Sequence, residues 1–329
     1  MEWTQKTVLV TGAGGFIGSH LTEQLVKLGA KVKAFVRYNS RGDRGLLELV
    51  PNNIRMEIEF IMGDLRDADA VKRAMEGSNL VYHLGAIIAI PYSYIHPRNV
   101  IETNVMGTLN VLNAARSHNL AQVIHTSTSE VYGTARNVPI DEQHTLQGQS
   151  PYSASKIGAD KIAESYYLAF GLPVVTLRPF NTYGPRQSAR AVIPTIITQA
   201  LSQDTVFLGA LHTTRDLNYI SDTVEGFIKA AETPDAIGMV INLGSGQEIT
   251  IGDLATKIIG LIGRDVVIKA DKDRMRPERS EVNRLVASSE VAHRLLGWES
   301  KVSLDEGLHQ TISWISEHME LYKPDIYNL

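Results

Sequence analysis

The chain has 329 residues, of which 43% are hydrophobic and 21% charged, a composition typical of globular proteins with a buried core. Its 32 Lys and Arg against 36 Asp and Glu leave a net charge of −4, so no overall basic field favours nucleic acid as a partner. The lack of cysteine excludes disulfides, thiolate catalysis and thiolate-ligated metals. Without a secretory leader pattern or an apolar run of membrane-spanning length, we expect a soluble, cytoplasmic protein that does not associate with membranes.

Short β-branched segments alternate with longer segments of helical periodicity through the first half of the chain. The predicted strands are Thr7–Val10, Val32–Val36, Ile58–Met62, Leu80–Leu84, Gln122–His125 and Val174–Leu177. The two longest predicted helices cover Arg98–Ser117 and Pro151–Phe170. This alternation predicts βαβ units, and hence an α/β fold with a parallel sheet.

A glycine-rich segment, Thr11–Gly18, follows the first predicted strand and opens the first helix. Its Gly12, Gly15 and Gly18 have the spacing G-x-x-G-x-x-G. Glycine at these positions permits a tight turn, close approach of a pyrophosphate to the backbone, and close packing of helix on strand. The helix N-terminus then faces the phosphates. The segment predicts a dinucleotide site to which Phe16 and Ile17 also contribute.

The end of the second predicted strand bears on which dinucleotide binds. Folds that bind NAD usually have a carboxylate there for the ribose 2′-hydroxyl. This chain has Arg37, Ser40 and Arg41 instead, and a guanidinium can hold a 2′-phosphate in bidentate fashion. We therefore expect NADP, with NAD as the alternative if Arg37 is a solvated charge and Asp43 turns inward.

Tyr152 and Lys156 lie four residues apart in a predicted helix, so they share one face of it. A nearby ammonium and a nicotinamide ring favour the phenolate, which can remove an alcohol proton as hydride leaves the carbon. Alone, such a pair is a weak signal. Because it follows a dinucleotide loop and a strand end rich in Thr and Ser, it predicts a catalytic pair.

These motifs resemble, over nearly the whole chain, those of the extended short-chain dehydrogenase/reductases of the nucleotide-sugar epimerase/dehydratase group. The resemblance implies a Rossmann-type doubly wound parallel sheet with a smaller mixed α/β C-terminal substrate-binding region. We expect residues 1–178 to bind the dinucleotide and residues 179–329 mainly the nucleotide sugar, interleaved around one cleft. The resemblance also implies a homodimer formed by the helices Arg98–Ser117 and Tyr152–Phe170. It adds further cofactor contacts at Asp64, Leu65, Leu84, Gly85, Ala86, Asn104, Tyr152 and Lys156.

The segment Thr126–Gly133 distinguishes reactions within this group. Plain epimerases have no acid beside the catalytic Ser or Thr, whereas 4,6-dehydratases need a base for the sugar C5 proton and an acid for the C6 hydroxyl. Glu130 supplies a carboxylate there, next to the candidate catalytic residues Thr128 and Ser129. Many sugar dehydratases have Thr-Asp-Glu in this segment, so Ser129 departs from their pattern and leaves open which residue is the acid for the C6 hydroxyl. The GDP-mannose dehydratases, however, have Thr-Ser-Glu, as this chain does.

By this resemblance, hydride leaves C4, Glu130 removes the C5 proton, and the C6 hydroxyl departs. Hydride then returns to C6 or to C4, which gives a 4-keto-6-deoxy sugar or a 5,6-ene. No external reductant is consumed, so the cofactor is expected to stay tightly bound between turnovers.

The resemblance further implies a nucleoside-diphosphate sugar as substrate. Asn181, Arg215 and Arg276 match family positions that hold the diphosphate or nucleotide, with Thr128 and Arg190 as further contacts. The chain most resembles bacterial dehydratases that act on nucleotide-linked N-acetylglucosamine in legionaminic or pseudaminic acid formation. UDP-N-acetylglucosamine is therefore the favoured substrate, and the GDP sugar the second.

Three other functions stay open at this point. A UDP-glucuronic acid decarboxylase shares the Ser-Glu pair but needs a cation for the C6 carboxylate, which Arg215 could provide. A C4 epimerase would not need Glu130. A non-catalytic NADP-sensing protein would not depend on Tyr152. The ten histidines include no H-x-x-x-H pattern, so we expect no metal site.

Overall fold

The computed structural model describes residues 1–324, so the last five residues of the predicted region 179–329 lie outside it. The strands are β1 Thr7–Thr11, β2 Lys31–Arg37, β3 Ile58–Gly63, β4 Leu80–His83, β5 Gln122–Thr126, β6 Val174–Pro179, β7 Asn181–Tyr183, β8 Thr205–Leu208, β9 Thr214–Tyr219, β10 Val240–Leu243, β11 Glu248–Thr250 and β12 Val267–Ala270. The α-helices are α1 Phe16–Lys27, α2 Asn52–Arg55, α3 Ala68–Met75, α4 Ile90–Ile95, α5 Pro97–Ile101, α6 Gly107–Ser117, α7 Pro151–Phe170, α8 Val192–Ser202, α9 Ile220–Glu232, α10 Ile251–Ile262, α11 Glu290–Leu296 and α12 Leu304–Glu317. No helix within residues 1–324 is long and apolar enough to cross a membrane.

Seven parallel strands form the central sheet in the order β10-β6-β5-β4-β1-β2-β3. The chain moves outward from β1 first through β2 and β3, then crosses back and builds the other side from β4. This reversal of strand order leaves a crevice at the carboxyl ends of β1 and β4, where ligands bind in doubly wound folds. The predicted Rossmann-type fold class is confirmed.

Helices cover both faces of this sheet because β1 is apolar on both sides. Val8 and Val10 lie in the core cluster that includes Leu21 and Leu25 of α1. Leu9, which points the other way, belongs to the cluster that contains apolar side chains of α3, α6 and α7. The sheet is therefore the middle layer of three, and it holds the carboxyl ends of its strands in fixed relative positions.

The predicted helix Pro151–Phe170 is confirmed as α7. The predicted helix Arg98–Ser117 corresponds to α5 and α6, which are joined by one π-helical turn, Glu102–Met106. π-Helical turns are rare in proteins, and those that occur are often found at functional sites.

Two small sheets lie beyond β6, with the orders β11-β9-β7 and β12-β8. The strand β7 falls within the segment 178–186, which its Pro and Gly residues predict to be a loop. The predicted domain boundary at residue 178 lies inside β6, and β10 returns from the later part of the chain to pair with β6. The division into 1–178 and 179–329 stays a prediction.

Candidate active site

A cavity of about 920 Å³ opens at the crevice beside β1. One wall comes from loops that follow β1, β4 and β5, and the other from residues 179–195, 207–217 and 274–281. Its volume lies within the range of small-molecule and cofactor sites. The wall that belongs to the central sheet carries the glycine-rich segment, and the opposite wall carries most of the cavity's arginines.

The glycine-rich segment has a backbone path that only glycine fits. Gly12 has a φ of +70°, and a Cβ there would lie 2.7 Å from the backbone nitrogen of Gly85. A Cβ on Gly18 would collide with the carbonyl oxygen of Gly12. Gly15, the N-cap of α1, has no side chain to occupy the first free amide groups of that helix. The segment therefore fits a pyrophosphate at the N-terminus of α1, and Phe16 and Ile17 also line the cavity.

Residues after β2 divide into those that reach the cavity and those that do not. Arg37 and Asp43 both line it, whereas Ser40 and Arg41 are exposed and lie outside its lining. Asn39 holds this arrangement, because its Oδ1 accepts hydrogen bonds from the amides of Arg41 and Asp43. The structure thus brings one of the three predicted phosphate ligands to the cavity, together with a carboxylate.

The loops after β3 and β4 meet beside the glycine-rich segment. Asp64 lines the cavity, and a hydrogen bond from Arg66 holds the pKa of its carboxyl below the ordinary value. Leu65 packs against Gly85, where a Cβ would lie 2.6 Å from the leucine Cδ1. Leu84, Gly85 and Ala86 line the same side. These predicted cofactor residues are therefore grouped along one wall.

Asn104, in the π-helical turn, is buried outside the lining of the cavity. Its Nδ2 donates to the carbonyl oxygen of Ile87 and to Ser155 Oγ, and its Oδ1 accepts from the amide of Ile87. Both ends of the amide are therefore engaged within the protein. Asn104 fixes the loop after β4, whose residues 84–91 line the cavity.

The first turn of α7 carries the predicted catalytic tyrosine. Ser150 caps the helix reciprocally with Ser153, and Pro151 occupies the first helical turn. Tyr152 lines the cavity and its hydroxyl is hydrogen-bonded with that of Thr128. Burial raises the pKa of Tyr152 well above its ordinary value, and the hydrogen bond with Thr128 opposes this shift.

Lys156 lies one turn further along α7, behind the cavity wall. Its Nζ donates a 2.6 Å hydrogen bond to the carbonyl oxygen of Thr126. Burial lowers the pKa of Lys156 from 10.5 to about 8, although Asp160 opposes the shift. The pair predicted from the sequence is therefore on one helical face, with the phenol in the cavity and the ammonium group beneath it.

The end of β5 brings a carboxylate to the same place. Thr128 accepts a hydrogen bond from the amide of Glu130, which starts a short helical turn over Ser129–Tyr132. Thr128, Ser129 and Glu130 all line the cavity, and the Glu130 side chain is only 13% exposed. The negative charge of Glu130 also raises the pKa of Tyr152, because the two side chains face the same cavity.

The predicted substrate residues lie on the opposite wall. Asn181 begins β7, and Arg190 is an exposed residue at the mouth of the cavity. Arg215 on β9 is 8% exposed, and its Nη1 donates to the carbonyl oxygens of Thr214 and Val282. Arg276 enters from the loop after β12 and lies 3.9 Å from the Glu130 carboxylate. All four predicted substrate-side residues line the cavity.

Glu281 is a cavity residue that sequence analysis missed. Its Oε1 accepts a 3.3 Å hydrogen bond from Arg215 Nη2 and lies 3.6 Å from Arg276 Nη1. The two arginines are 61 positions apart in the sequence, so no local pattern joins them to a common carboxylate. The only sequence signal is that Glu281 follows Arg276 closely in one loop.

Asp160 was also missed, although it stands one helical turn after Lys156. Its carboxylate accepts hydrogen bonds from Ser127 Oγ at 2.7 Å and Arg178 Nη2 at 3.1 Å, and lies 3.0 Å from His125 Nε2. Burial raises the pKa of Asp160, but His125, Arg178 and Lys156 together hold it below its ordinary value. Since His125 and Ser127 flank Thr126, the Asp160 carboxylate fixes the backbone that receives Lys156.

Comparison with known proteins finds a matching family model and similar chains along nearly the whole sequence. The family model described as GDP-mannose 4,6 dehydratase matches residues 9–311. A dTDP-glucose 4,6-dehydratase from Streptomyces griseus is 33% identical over 323 residues, which cover 96% of each chain.

Two solved structures whose descriptions name a hexosamine nucleotide are similar to this chain over nearly its whole length. TunA, described as an NAD-dependent NDP-hexosamine 5,6-dehydratase of tunicamycin biosynthesis, has a TM-score of 0.83 and 27% identity, with 98% of this chain and 100% of TunA covered. A UDP-N-acetylglucosamine 4-epimerase from Methanobrevibacter ruminantium M1 has a TM-score of 0.86 and 30% identity, with 95% and 99% covered.

Proposed function

This chain belongs to the GDP-mannose 4,6-dehydratase family of nucleotide-sugar dehydratases and epimerases, and we propose that it removes water from UDP-N-acetylglucosamine. The observation that carries the proposal is the Glu130 carboxylate, which faces the cavity beside Thr128 and Tyr152. Inversion at C4 needs only removal and return of a hydride and of the hydroxyl proton, whereas dehydration also needs a base for the C5 proton. Glu130 is that base.

The chain's residues divide the proton transfers among themselves. Tyr152 takes the proton of the C4 hydroxyl, assisted by Thr128 and by the ammonium group of Lys156. The glycine-rich segment would hold a nicotinamide dinucleotide, which would supply the hydride chemistry by accepting a hydride from the sugar and returning it. The resulting C4 ketone acidifies the C5 proton, which passes to Glu130.

Elimination then breaks the bond between C6 and its hydroxyl oxygen. Glu130 or Ser129 delivers the proton that lets this hydroxyl leave as water, and a 5,6 double bond forms. Hydride return to C6 with a proton at C5 gives the 4-keto-6-deoxy sugar. Hydride return to C4 with a proton at its oxygen gives the 5,6-ene. Either product differs from the substrate by one water, so no external reductant is needed.

A hexosamine substrate is favoured over a uronate by the state of Arg215. Decarboxylation needs a cation directed at the C6 carboxylate, but the Arg215 guanidinium is already bound to Glu281 and to two backbone carbonyl oxygens. The structural relatives include proteins described with hexosamine nucleotides and proteins described with UDP-glucuronic acid, so this preference rests on Arg215. We therefore keep UDP-N-acetylglucosamine first and the GDP sugar second, in a reaction of the kind that begins legionaminic or pseudaminic acid formation.

NADP is the proposed cofactor, with NAD as the alternative. Arg37 at the cavity supports a 2′-phosphate, while Asp43 nearby supports a free ribose hydroxyl. TunA is NAD-dependent by its description. The two possibilities differ in one measurable quantity, the ratio of the affinities for the two dinucleotides.

A homodimer through α5, α6 and α7 is proposed as well. Large apolar side chains are exposed on this side of the protein: Ile101 is 48% exposed, Met106 47% and Leu168 73%. Exposed large apolar side chains on neighbouring helices support an interface there. Sedimentation equilibrium should give a dimer for the wild type and a monomer for Leu168→Asp, whereas a wild-type monomer contradicts the proposal.

The function is tested by incubating purified protein with UDP-N-acetylglucosamine, UDP-glucuronic acid and the GDP sugars without added reductant. Loss of one water from an N-acetylglucosamine nucleotide, seen by mass spectrometry, supports dehydration, and the proton NMR signal of C6 identifies the product. Glu130→Gln should lower this activity by about 10²–10⁴-fold, the usual contribution of a general base. Glu278→Gln, at an exposed carboxylate, is the control. Loss of carbon dioxide, or C4 inversion that persists in Glu130→Gln, contradicts the proposal.

A further inference from the structure

A carboxylate shares the cavity with the two arginines proposed to bind the substrate. Glu281 lies between Arg215 and Arg276, and Arg276 lies between Glu281 and Glu130. Arg276 Nη1 is buried, and among residues 1–324 it has no hydrogen-bond partner, since the two carboxylates are 3.6 and 3.9 Å away. Its guanidinium is thus held between two anions, close to both and hydrogen-bonded to neither at this nitrogen.

Charge balance shows what this arrangement does to a ligand. The four side chains carry two positive and two negative charges, so the arginines are already neutralised before a ligand enters. A nucleoside diphosphate brings at least two more negative charges. Since burial strengthens such interactions, the diphosphate and Glu281 compete for Arg215 and Arg276.

We propose that Glu281 is a specificity-determining residue, an internal counter-ion that competes with the substrate diphosphate and limits the negative charge that the cavity accepts. The inference rests on the nucleotide-sugar site of the proposed function. It predicts a preference for an uncharged sugar, because a uronate adds a carboxylate to a cavity that already holds Glu130 and Glu281. It also keeps the affinity for the diphosphate moderate, which allows the product to leave.

Glu281→Gln separates charge from structure. The glutamine keeps an oxygen that can accept the hydrogen bond from Arg215, so only the negative charge is lost. Calorimetric titration with UDP at low salt should show binding about tenfold tighter than in the wild type. The gain for UDP-glucuronic acid should exceed that for UDP-N-acetylglucosamine. Glu278→Gln removes an exposed carboxylate three positions away and should leave all affinities unchanged.

Weaker or unchanged UDP binding in Glu281→Gln overturns the inference, because Glu281 would then only orient the arginines. An equal gain for the uronate and the hexosamine overturns its part in sugar selection. The affinity for UDP does not depend on turnover, so a protein that binds UDP but does not dehydrate UDP-N-acetylglucosamine contradicts the proposed function alone. If the wild type prefers GDP, the same comparison is made with GDP. Failure to bind either diphosphate contradicts both.

Discussion

The two walls of the cavity are built on different physical principles. The cofactor wall is mostly backbone: Gly12, Gly15 and Gly18 lie within seven consecutive residues and shape a cradle at one helix N-terminus. The substrate wall depends on charged side chains from separate elements, of which Arg215 and Glu281 form a buried ion pair. A backbone cradle has no room for added atoms. In a set of paired charges, by contrast, each charge changes how strongly the others attract a ligand. Substitutions on the two walls should therefore fail in different ways.

The largest effect should come from Tyr152→Phe. It sharpens the comparison because it removes the phenolic hydroxyl and leaves the glycine-rich segment unchanged. We expect turnover to fall by about 10²–10⁴-fold, since the general base for the C4 hydroxyl is lost, while dinucleotide affinity stays within about twofold. Tyr166→Phe is the matched control, because it removes a hydroxyl on the same helix that bonds to Asn113 away from the cavity. Full turnover in Tyr152→Phe would contradict the role of Tyr152 as the general base, whereas a wild type that binds the dinucleotide without any turnover would support the sensing function instead.

Lys156 predicts a pH dependence of stability. Its pKa is lowered by burial from 10.5 to about 8, so between these values the unfolded chain binds more protons than the folded protein. The free energy of unfolding should therefore rise with pH from about 8 to 10.5, relative to Lys156→Met, by at most ~1.4 kcal/mol for each pH unit. Denaturant unfolding of both proteins across this range measures the difference. A difference that stays constant with pH, or falls, contradicts a lowered pKa of Lys156 in the folded protein.

Substitution of one glycine tests the rigidity of the cofactor wall. Gly12→Ala places a Cβ against the backbone of Gly85 at a positive φ, which costs ~1–2 kcal/mol even without the clash. Dinucleotide affinity should fall by about thirtyfold, as measured by fluorescence titration, with the affinity for UDP unchanged. Gly42→Ala, also at positive φ but with open space around it, is the control. An equal loss of dinucleotide and UDP affinity in Gly12→Ala would contradict the claim that the two walls bind their ligands separately.

The smallest effect concerns Arg37, a position where the cofactor wall presents a side-chain charge. Arg37→Ala should lower the NADP to NAD affinity ratio by about tenfold, because the guanidinium that holds the 2′-phosphate is lost. Arg41→Ala is the comparison, since Arg41 lies outside the cavity lining. An unchanged ratio in Arg37→Ala would remove the basis for NADP. A loss that occurs only in Arg41→Ala would assign the 2′-phosphate to that residue.

Sequence patterns predict the central sheet well because its inner strands β1, β4, β5 and β6 are buried on both faces and read as short apolar runs. They also predict α7, whose Ser150 cap and Pro151 mark its start. Strand β9 was not predicted, since it carries Arg215, Asp216 and Asn218, a polar composition that suggests exposure. These residues are buried because the fold satisfies them: Asp216 accepts hydrogen bonds from four donors in two distant loops.

The same contrast applies to the site. Thr128, Glu130 and Tyr152 could be named from the sequence because each follows a recognisable strand end or helix start. Glu281 and Asp160 could not, because their roles arise from partners that only the folded chain brings near. The role of a buried carboxylate can be recognised only from the cations that it pairs with. Those partners can lie far away in the sequence.

The most direct measurement follows the hydride through one reaction. UDP-N-acetylglucosamine that carries deuterium at C4 is incubated with the purified protein without added reductant, and the product is analysed by mass spectrometry and NMR. Internal return of hydride predicts a product that has lost one water and kept the deuterium, at C6 of a 4-keto-6-deoxy sugar or at C4 of a 5,6-ene. A product that keeps its water, or one whose deuterium is lost to solvent, would contradict dehydration with a recycled hydride.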